Sequence, residues 1–222
     1  MADGTGKKGQ LLVVSGPAGS GKGTAVMGQN QDGSMAAVEA LCRLYPGKFA
    51  LSVSCTTRAP RGAEVDGVHY FFLSKEEFER RIEAHQFLEY AVYCNGNSYG
   101  TPKDYVLEQL SKGFHVILEI DVQGGLQVKE NYPDTVLFML TPPNYAELER
   151  RLRGRHTDRE EDILRRLAES RRELERMHLY DYVIVSETGK TEDAARQIYN
   201  VLQAEQLRTG KHPDFIKEFY GN

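Results

Sequence analysis

Lys22 lies in the stretch Gly16-Pro17-Ala18-Gly19-Ser20-Gly21-Lys22-Gly23-Thr24, whose residue types suit one chemistry, the holding of phosphate oxygens. Glycines at 16, 19 and 21 allow backbone conformations and close approaches that a Cβ forbids. Successive backbone N–H groups can then point into one concavity at the start of a helix, where the helix dipole also favours an anion. Lys22 adds a full positive charge there. The spacing follows the Walker A pattern except in its last place, which holds Gly23 instead of serine or threonine. A hydroxyl for magnesium would have to come from Thr24, or a water would stand in its place.

Other groups suit the same chemistry. Arg58 and Arg61, three residues apart beside Pro60, can grip one phosphate through paired, charge-assisted hydrogen bonds. Asp121 closes the apolar run from Phe114 to Ile120 and offers an oxygen to the same crevice, so Thr24 and Asp121 are the candidate metal ligands. Arg155, on a glycine-flanked loop, and Arg166, inside the next helix, can stand over transferring phosphates, where an arginine is worth about 10³ to 10⁵ in rate. The remaining arginines of this basic stretch read as an exposed helix face with intrahelical ion pairs. His156 reads as a surface residue.

The elements that position these groups follow from periodicity. Leu11 to Val14 is a short apolar run suited to a buried strand feeding the glycine-rich turn. A helix is expected from Ala25 to Tyr45, yet Met27 to Met35 is polar and carries two glycines. Ala25-Val26 recurs as Ala37-Val38, and joining the two leaves a clean amphipathic pattern, so residues 28–35 read as an insertion. Strands are expected at Phe49–Val53, Val68–Phe72, Phe87–Tyr93, Phe114–Asp121, Val136–Leu140 and Tyr182–Val185. Helices are expected at Lys75–Glu83, Lys103–Ser111 and Glu160–Met177. Pro60 stops a regular helix or central strand, so Arg58 and Arg61 read as lying on a loop, and Asn95-Gly96 reads as a hairpin turn. The alternation predicts an α/β three-layer sandwich around a mostly parallel sheet. Its core is expected at 10–53 and 102–208, with a small mixed, largely antiparallel insert at 54–101, a helical lid at about 150–168 and a tail at 209–222.

The net charge of -4 over 222 residues argues against a protein that coats nucleic acid. A hydrophobic fraction of 40% with 27% charged residues is ordinary for a globular chain. Neither a transmembrane run nor an apolar N-terminal signal core is visible, so the expected setting is cytoplasmic, with no membrane partner and a monomer or homodimer. Cys42, Cys55 and Cys94 lack metal-ligand spacing and read as reduced thiols.

From about Gly9 to Leu207 the chain resembles guanylate kinases of the P-loop nucleoside monophosphate kinase family. The resemblance rests on the phosphate loop and, in order, on Ser52-Val53-Ser54-Cys55-Thr56-Thr57-Arg58-Ala59-Pro60-Arg61, Glu64 to Phe72, Phe87-Leu88-Glu89-Tyr90, Tyr99-Gly100-Thr101-Pro102, Glu119 to Gly124 and Arg151 to Arg155. It implies phosphoryl transfer from ATP with Mg²⁺ to GMP and dGMP. Gly16 to Thr24 would hold the ATP phosphates, with Lys22, Arg155 and Arg166 over the transferred group. Arg58, Arg61, Tyr70 and Tyr99 would hold the GMP phosphate, and Ser54, Glu89, Thr101 and Asp121 would meet the base. Guanine chemistry agrees: its ring N–H and amino group are donors, Glu89 supplies acceptors, and a serine hydroxyl can donate to the carbonyl. The resemblance also covers modules that keep this fold and bind proteins, although those typically lose the phosphate loop. Ser186-Glu187-Thr188 follows Val185 where the family commonly has Asn-Asp near the donor adenine, and His156 replaces a usual glycine.

Overall fold

The computed structural model describes residues 8–22, 36–93, 96–154 and 159–221. Gly23, Thr24, Cys94, Asn95, Arg155, His156 and the segment 28–35 lie outside them. The central strand is β1, Leu11–Ser15, buried at every position. It pairs in parallel with β7 (His115–Glu119) on one side and β8 (Val136–Thr141) on the other. β2 (Phe49–Leu51) and β9 (Tyr182–Val185) complete a parallel sheet of order β2-β7-β1-β8-β9 among the described residues.

Alternate residues of β1 face opposite layers, as a pleated strand requires. Leu12 and Val14 pack with α1 (Ala37–Leu44) and α7 (Thr191–Glu205), where Tyr45 stacks on Tyr199 with ring centroids 3.7 Å apart. Leu11 and Val13 pack with α3 (Lys103–Ser111) and α4 (Val122–Asn131). Helices on both faces explain why β1 is a continuous apolar run with no polar alternation.

A second sheet of order β4-β3-β6-β5 is built from β3 (Cys55–Thr56), β4 (Phe71–Phe72), β5 (Phe87–Val92) and β6 (Ser98–Pro102). It is mixed, as expected: β3 runs parallel to β4 and antiparallel to β6, and β5 and β6 form a hairpin. Phe78 of α2 (Lys75–Glu83) stacks on Phe87 beneath it. The last layer holds α5 (Tyr145–Arg153) against α6 (Glu160–Glu175), joined through Leu148, Leu152, Ile163 and Leu167. A short α8 spans Phe215–Tyr220 in the tail.

Several expectations are corrected. The run 49–53 pairs only to Leu51, and 68–72 only at Phe71–Phe72, because Gly67 and the Val65 carbonyl turn the chain at Val68 and His69. Arg58 and Arg61 do lie on a loop, while Cys55 and Thr56 before them pair with Gly100 and Tyr99. Asp121 does not end a strand: β7 stops at Glu119 and Asp121 is the N-cap of α4, its carboxylate accepting from the Gly124 N–H at 2.7 Å. The helix beginning at Glu160 ends at Glu175, followed by a 3₁₀ turn, Met177–Leu179.

The first helix is described from Ala37. The Ala37 N–H donates to the Gly21 carbonyl at 3.1 Å, the bond that a residue four positions after Gly21 makes in an unbroken helix. By count that residue is Ala25. Ala37 therefore makes the bond that the count gives to Ala25, and the insertion expected at 28–35 lies outside the described residues.

Gly16 leaves β1 against β8. A Cβ there would lie 2.0 Å from the Leu140 carbonyl oxygen, a backbone atom that cannot swing aside. Gly16→Ala is therefore expected to lower unfolding free energy by about 1–3 kcal/mol, read as a reduced denaturant midpoint at unchanged slope.

Candidate active site

The phosphate loop follows from β1 and its glycines. Gly19 and Gly21 take positive φ values of 89° and 87°, which other residues rarely adopt. Lys22 Nζ folds back across the turn to the Gly16 carbonyl at 2.6 Å and the Pro17 carbonyl at 3.2 Å. Pro17, Ala18 and Ser20 complete the described loop, and Ser20 is fully buried.

Arg151 is a residue of this site that sequence reasoning missed. An exposed helix face with intrahelical ion pairs describes Arg150, Arg153 and Arg165, and Arg151 shares the ion pair but not the exposure. Arg151 instead reaches inward, donating to the Ser186 carbonyl at 2.7 Å and to the Gly19 and Ser20 carbonyls at 3.4 Å, while Glu147 holds its Nε at 2.8 Å. Glu147 also accepts from Arg150 and Thr188, and these donors hold its carboxyl well below the usual carboxylate range. Asn144, Glu147, Arg150, Glu187 and Thr188 line a depression of about 460 Å³ beside the loop. Arg166 lies within α6, and further along that helix burial pushes the Glu173 carboxyl up, with the Lys22 charge opposing it.

Across the carboxyl edge of the sheet, the second sheet gathers the other expected residues into two groups. In one, Arg58 is buried and forms a two-pronged ion pair with Glu64 at 2.6 and 2.7 Å. Its guanidinium sits 4.9 Å from the Tyr70 ring centroid, and Tyr70 in turn meets Tyr99 edge-on. Glu64 also accepts the Arg61 N–H at 2.8 Å, so one carboxylate shapes the loop carrying both arginines. These donors bring the Glu64 carboxyl down to about 2. The sequence marks Glu64 only through its three-residue spacing from Arg61.

In the other group, Thr101 Oγ donates to Glu89 Oε1 at 2.7 Å, both side chains being buried. Burial pushes the Glu89 carboxyl up to about 7, because a charge is costly away from water. Gly124 lies against it, and a Cβ there would stand 3.0 Å from Glu89 Oε2. Asp121 is adjacent, and its Oδ2 accepts the Tyr93 hydroxyl at 2.9 Å. Tyr93 meets Tyr99 edge-on at 5.6 Å, and Tyr99 meets Tyr70 at 6.0 Å, so a row of rings links the two groups. Ser54 precedes β3 and is half-buried.

A phosphate loop on the central strand of a parallel sheet, faced by arginines and a buried carboxylate, defines a nucleotide kinase of the P-loop class. The guanylate kinase family model matches residues 8–205. A guanylate kinase of Clostridium tetani is 43% identical over 213 residues, covering 95% of this chain and 93% of its own length. One from Streptococcus thermophilus is 48% identical over 202 residues, 91% and 90% of the two chains. The crystal structure of guanylate kinase from Anaplasma phagocytophilum matches with a TM-score of 0.68 at 29% identity, covering 96% of this chain and 95% of that one. The chain belongs to the guanylate kinase family. Among the described residues no helix is long and apolar enough to cross a membrane.

Proposed function

We propose that this enzyme transfers the γ-phosphoryl group of ATP to GMP, and likewise to dGMP, giving ADP and the nucleoside diphosphate. The observation that carries this reading is the buried Glu89–Thr101 pair beside Asp121, acceptors grouped to receive the two adjacent donors of guanine. Adenine presents an acceptor where guanine presents its ring N–H, which would leave a buried acceptor unpaired, and such sites reject the wrong ligand by about 10⁴ or more. Ser54 supplies a donor for the guanine carbonyl. Arg58, Arg61, Tyr70 and Tyr99 receive the GMP phosphate. The loop from Gly16 to Thr24 receives the ATP phosphates, and the depression at Asn144, Glu147 and Thr188 receives the donor base.

The reaction then needs alignment and charge stabilisation. The new bond joins a GMP phosphate oxygen to the γ-phosphorus, and the breaking bond is the one to the β-phosphate oxygen. The nucleophile is already anionic at neutral pH, since the second pKa of a phosphomonoester is about 6, so no side chain serves as general base. Lys22, Arg155 and Arg166 take up charge moving onto the leaving group. Mg²⁺ is the metal that fits this chemistry, because nucleotide phosphates and waters supply most of its shell and few protein oxygens are needed. When bound it neutralises phosphate charge. Thr24 and Asp121 are the proposed donors, and Asp121, already accepting from Gly124 and Tyr93, fits contact through a water. The insert and the α5–α6 layer exclude water from the transfer.

A coupled ADP-release assay with ATP, Mg²⁺ and each of GMP, dGMP, AMP, UMP and TMP tests this. Turnover is expected with GMP and dGMP alone. Binding of GMP without turnover for any acceptor would point instead to a protein-binding module on the same fold.

A further inference from the structure

Asp121 sits where the insert meets the core. Its Oδ1 accepts from the Gly124 N–H at 2.7 Å within its own helix, and its Oδ2 accepts from the Tyr93 hydroxyl at 2.9 Å. Ser15 Oγ donates to its backbone carbonyl at 3.1 Å, and the Gly125 N–H to the same oxygen at 3.0 Å. With one donor on each oxygen, the carboxylate cannot rotate without giving up a bond. Of the two side-chain restraints only Tyr93 comes from outside α4, from the hairpin of β5 and β6.

Tyr93 is itself held. Its N–H donates to the Asn97 carbonyl at 2.9 Å, its carbonyl accepts from Gly96 at 2.8 Å, and its ring rests edge-on against Tyr99. Its hydroxyl is the donor of the bond to Asp121, and the packing of its ring and backbone fixes where that donor stands. A charge-assisted hydrogen bond of this kind is among the stronger ones available to a side chain.

We propose that Tyr93 is a positioning residue for guanine discrimination: its hydroxyl orients the Asp121 carboxylate so that a remaining lone pair of Oδ2 meets the exocyclic amino group of the base. The proposal rests on the assignment of Glu89, Thr101 and Asp121 to the base. It predicts a difference between GMP and inosine monophosphate, which keeps the ring N–H and the carbonyl but lacks the amino group.

Tyr93→Phe keeps the ring and removes only the hydroxyl. The expected result is a KM for GMP raised about tenfold, the size of one lost charge-assisted bond, with kcat within about twofold of the parent. The KM for inosine monophosphate stays unchanged, so the GMP preference in kcat/KM falls about tenfold. A role in folding alone would move both acceptors together, and a thermal melt of the variant checks that the fold is intact. Equal change for both acceptors, or no change for either, overturns the role of Tyr93 if Glu89→Gln in the same series still impairs GMP use. If Glu89→Gln leaves GMP use intact, the base assignment fails, and this proposal with it.

Discussion

Replacing Glu89 by glutamine is expected to lower kcat/KM for GMP by about 10³-fold or more while leaving the affinity for ATP unchanged. The amide puts an N–H where guanine needs an acceptor, so a buried donor faces a donor and the charge of the pair is lost. Equal losses toward both nucleotides would remove Glu89 from base reading. The parent enzyme carries a second signature of the same group. Because burial places the free carboxyl near 7, the protonated form accumulates as pH falls through that value, and a protonated acid is a poorer acceptor for two donors. kcat/KM, which reports the free enzyme, should fall on the acid side with an apparent pKa near 7. The phosphate of GMP adds a lower step at about 6. Glu89→Gln should lose the upper step and keep the lower. The stability effect has the opposite sense. A folded pKa above the unfolded one means that the contribution of this carboxyl is fully present below its unfolded pKa and is lost as pH rises through about 7.

Lys22→Met is expected to cut kcat by about 10³-fold or more, with GMP affinity nearly intact. Lys22 already meets the Gly16 and Pro17 carbonyls in the loop, so its ammonium is placed at the turn that the ATP phosphates are proposed to occupy. Single-turnover transfer and GMP titration, measured on one preparation, separate the two effects. An active Lys22→Met enzyme would contradict the phosphate-loop assignment.

The elements that the sequence reveals best are those whose local signals agree. β1 is a bounded apolar run, and α2 matches 75–83 because Ser74 caps it, accepting the Glu77 N–H at 3.1 Å. α4 was missed for a physical reason. Its first turn contains Gly124-Gly125, poor helix formers, but a Cβ on Gly125 would lie 2.6 Å from the Tyr180 hydroxyl and one on Gly124 would crowd Glu89. Close packing against β1 and β5 overrides propensity there, and with α4 unseen, Asp121 looked like the end of a strand. Within the candidate site, the residues expected from motifs do come together where they are described: Arg58 with Tyr70 and Tyr99, and Glu89 with Thr101. The supporting residues Glu64, Arg151 and Tyr93 stayed hidden because each is defined by the partner it touches, which spacing along the chain does not display. Arg151 and its neighbour Arg150 are alike in sequence, yet helical rotation alone turns one inward and the other to solvent.

The hydrogen bond from Ala37 to Gly21 makes the junction between the phosphate loop and α1 a splice point. That bond ties the start of α1 directly to the phosphate loop, whatever number of residues separates the two in sequence. Closing a chain segment costs free energy only logarithmically in its length, about 0.6 kcal/mol per doubling. Segments of quite different size could therefore be exchanged here at little cost to the fold. The position is a natural port for grafting a peptide label beside the phosphate loop.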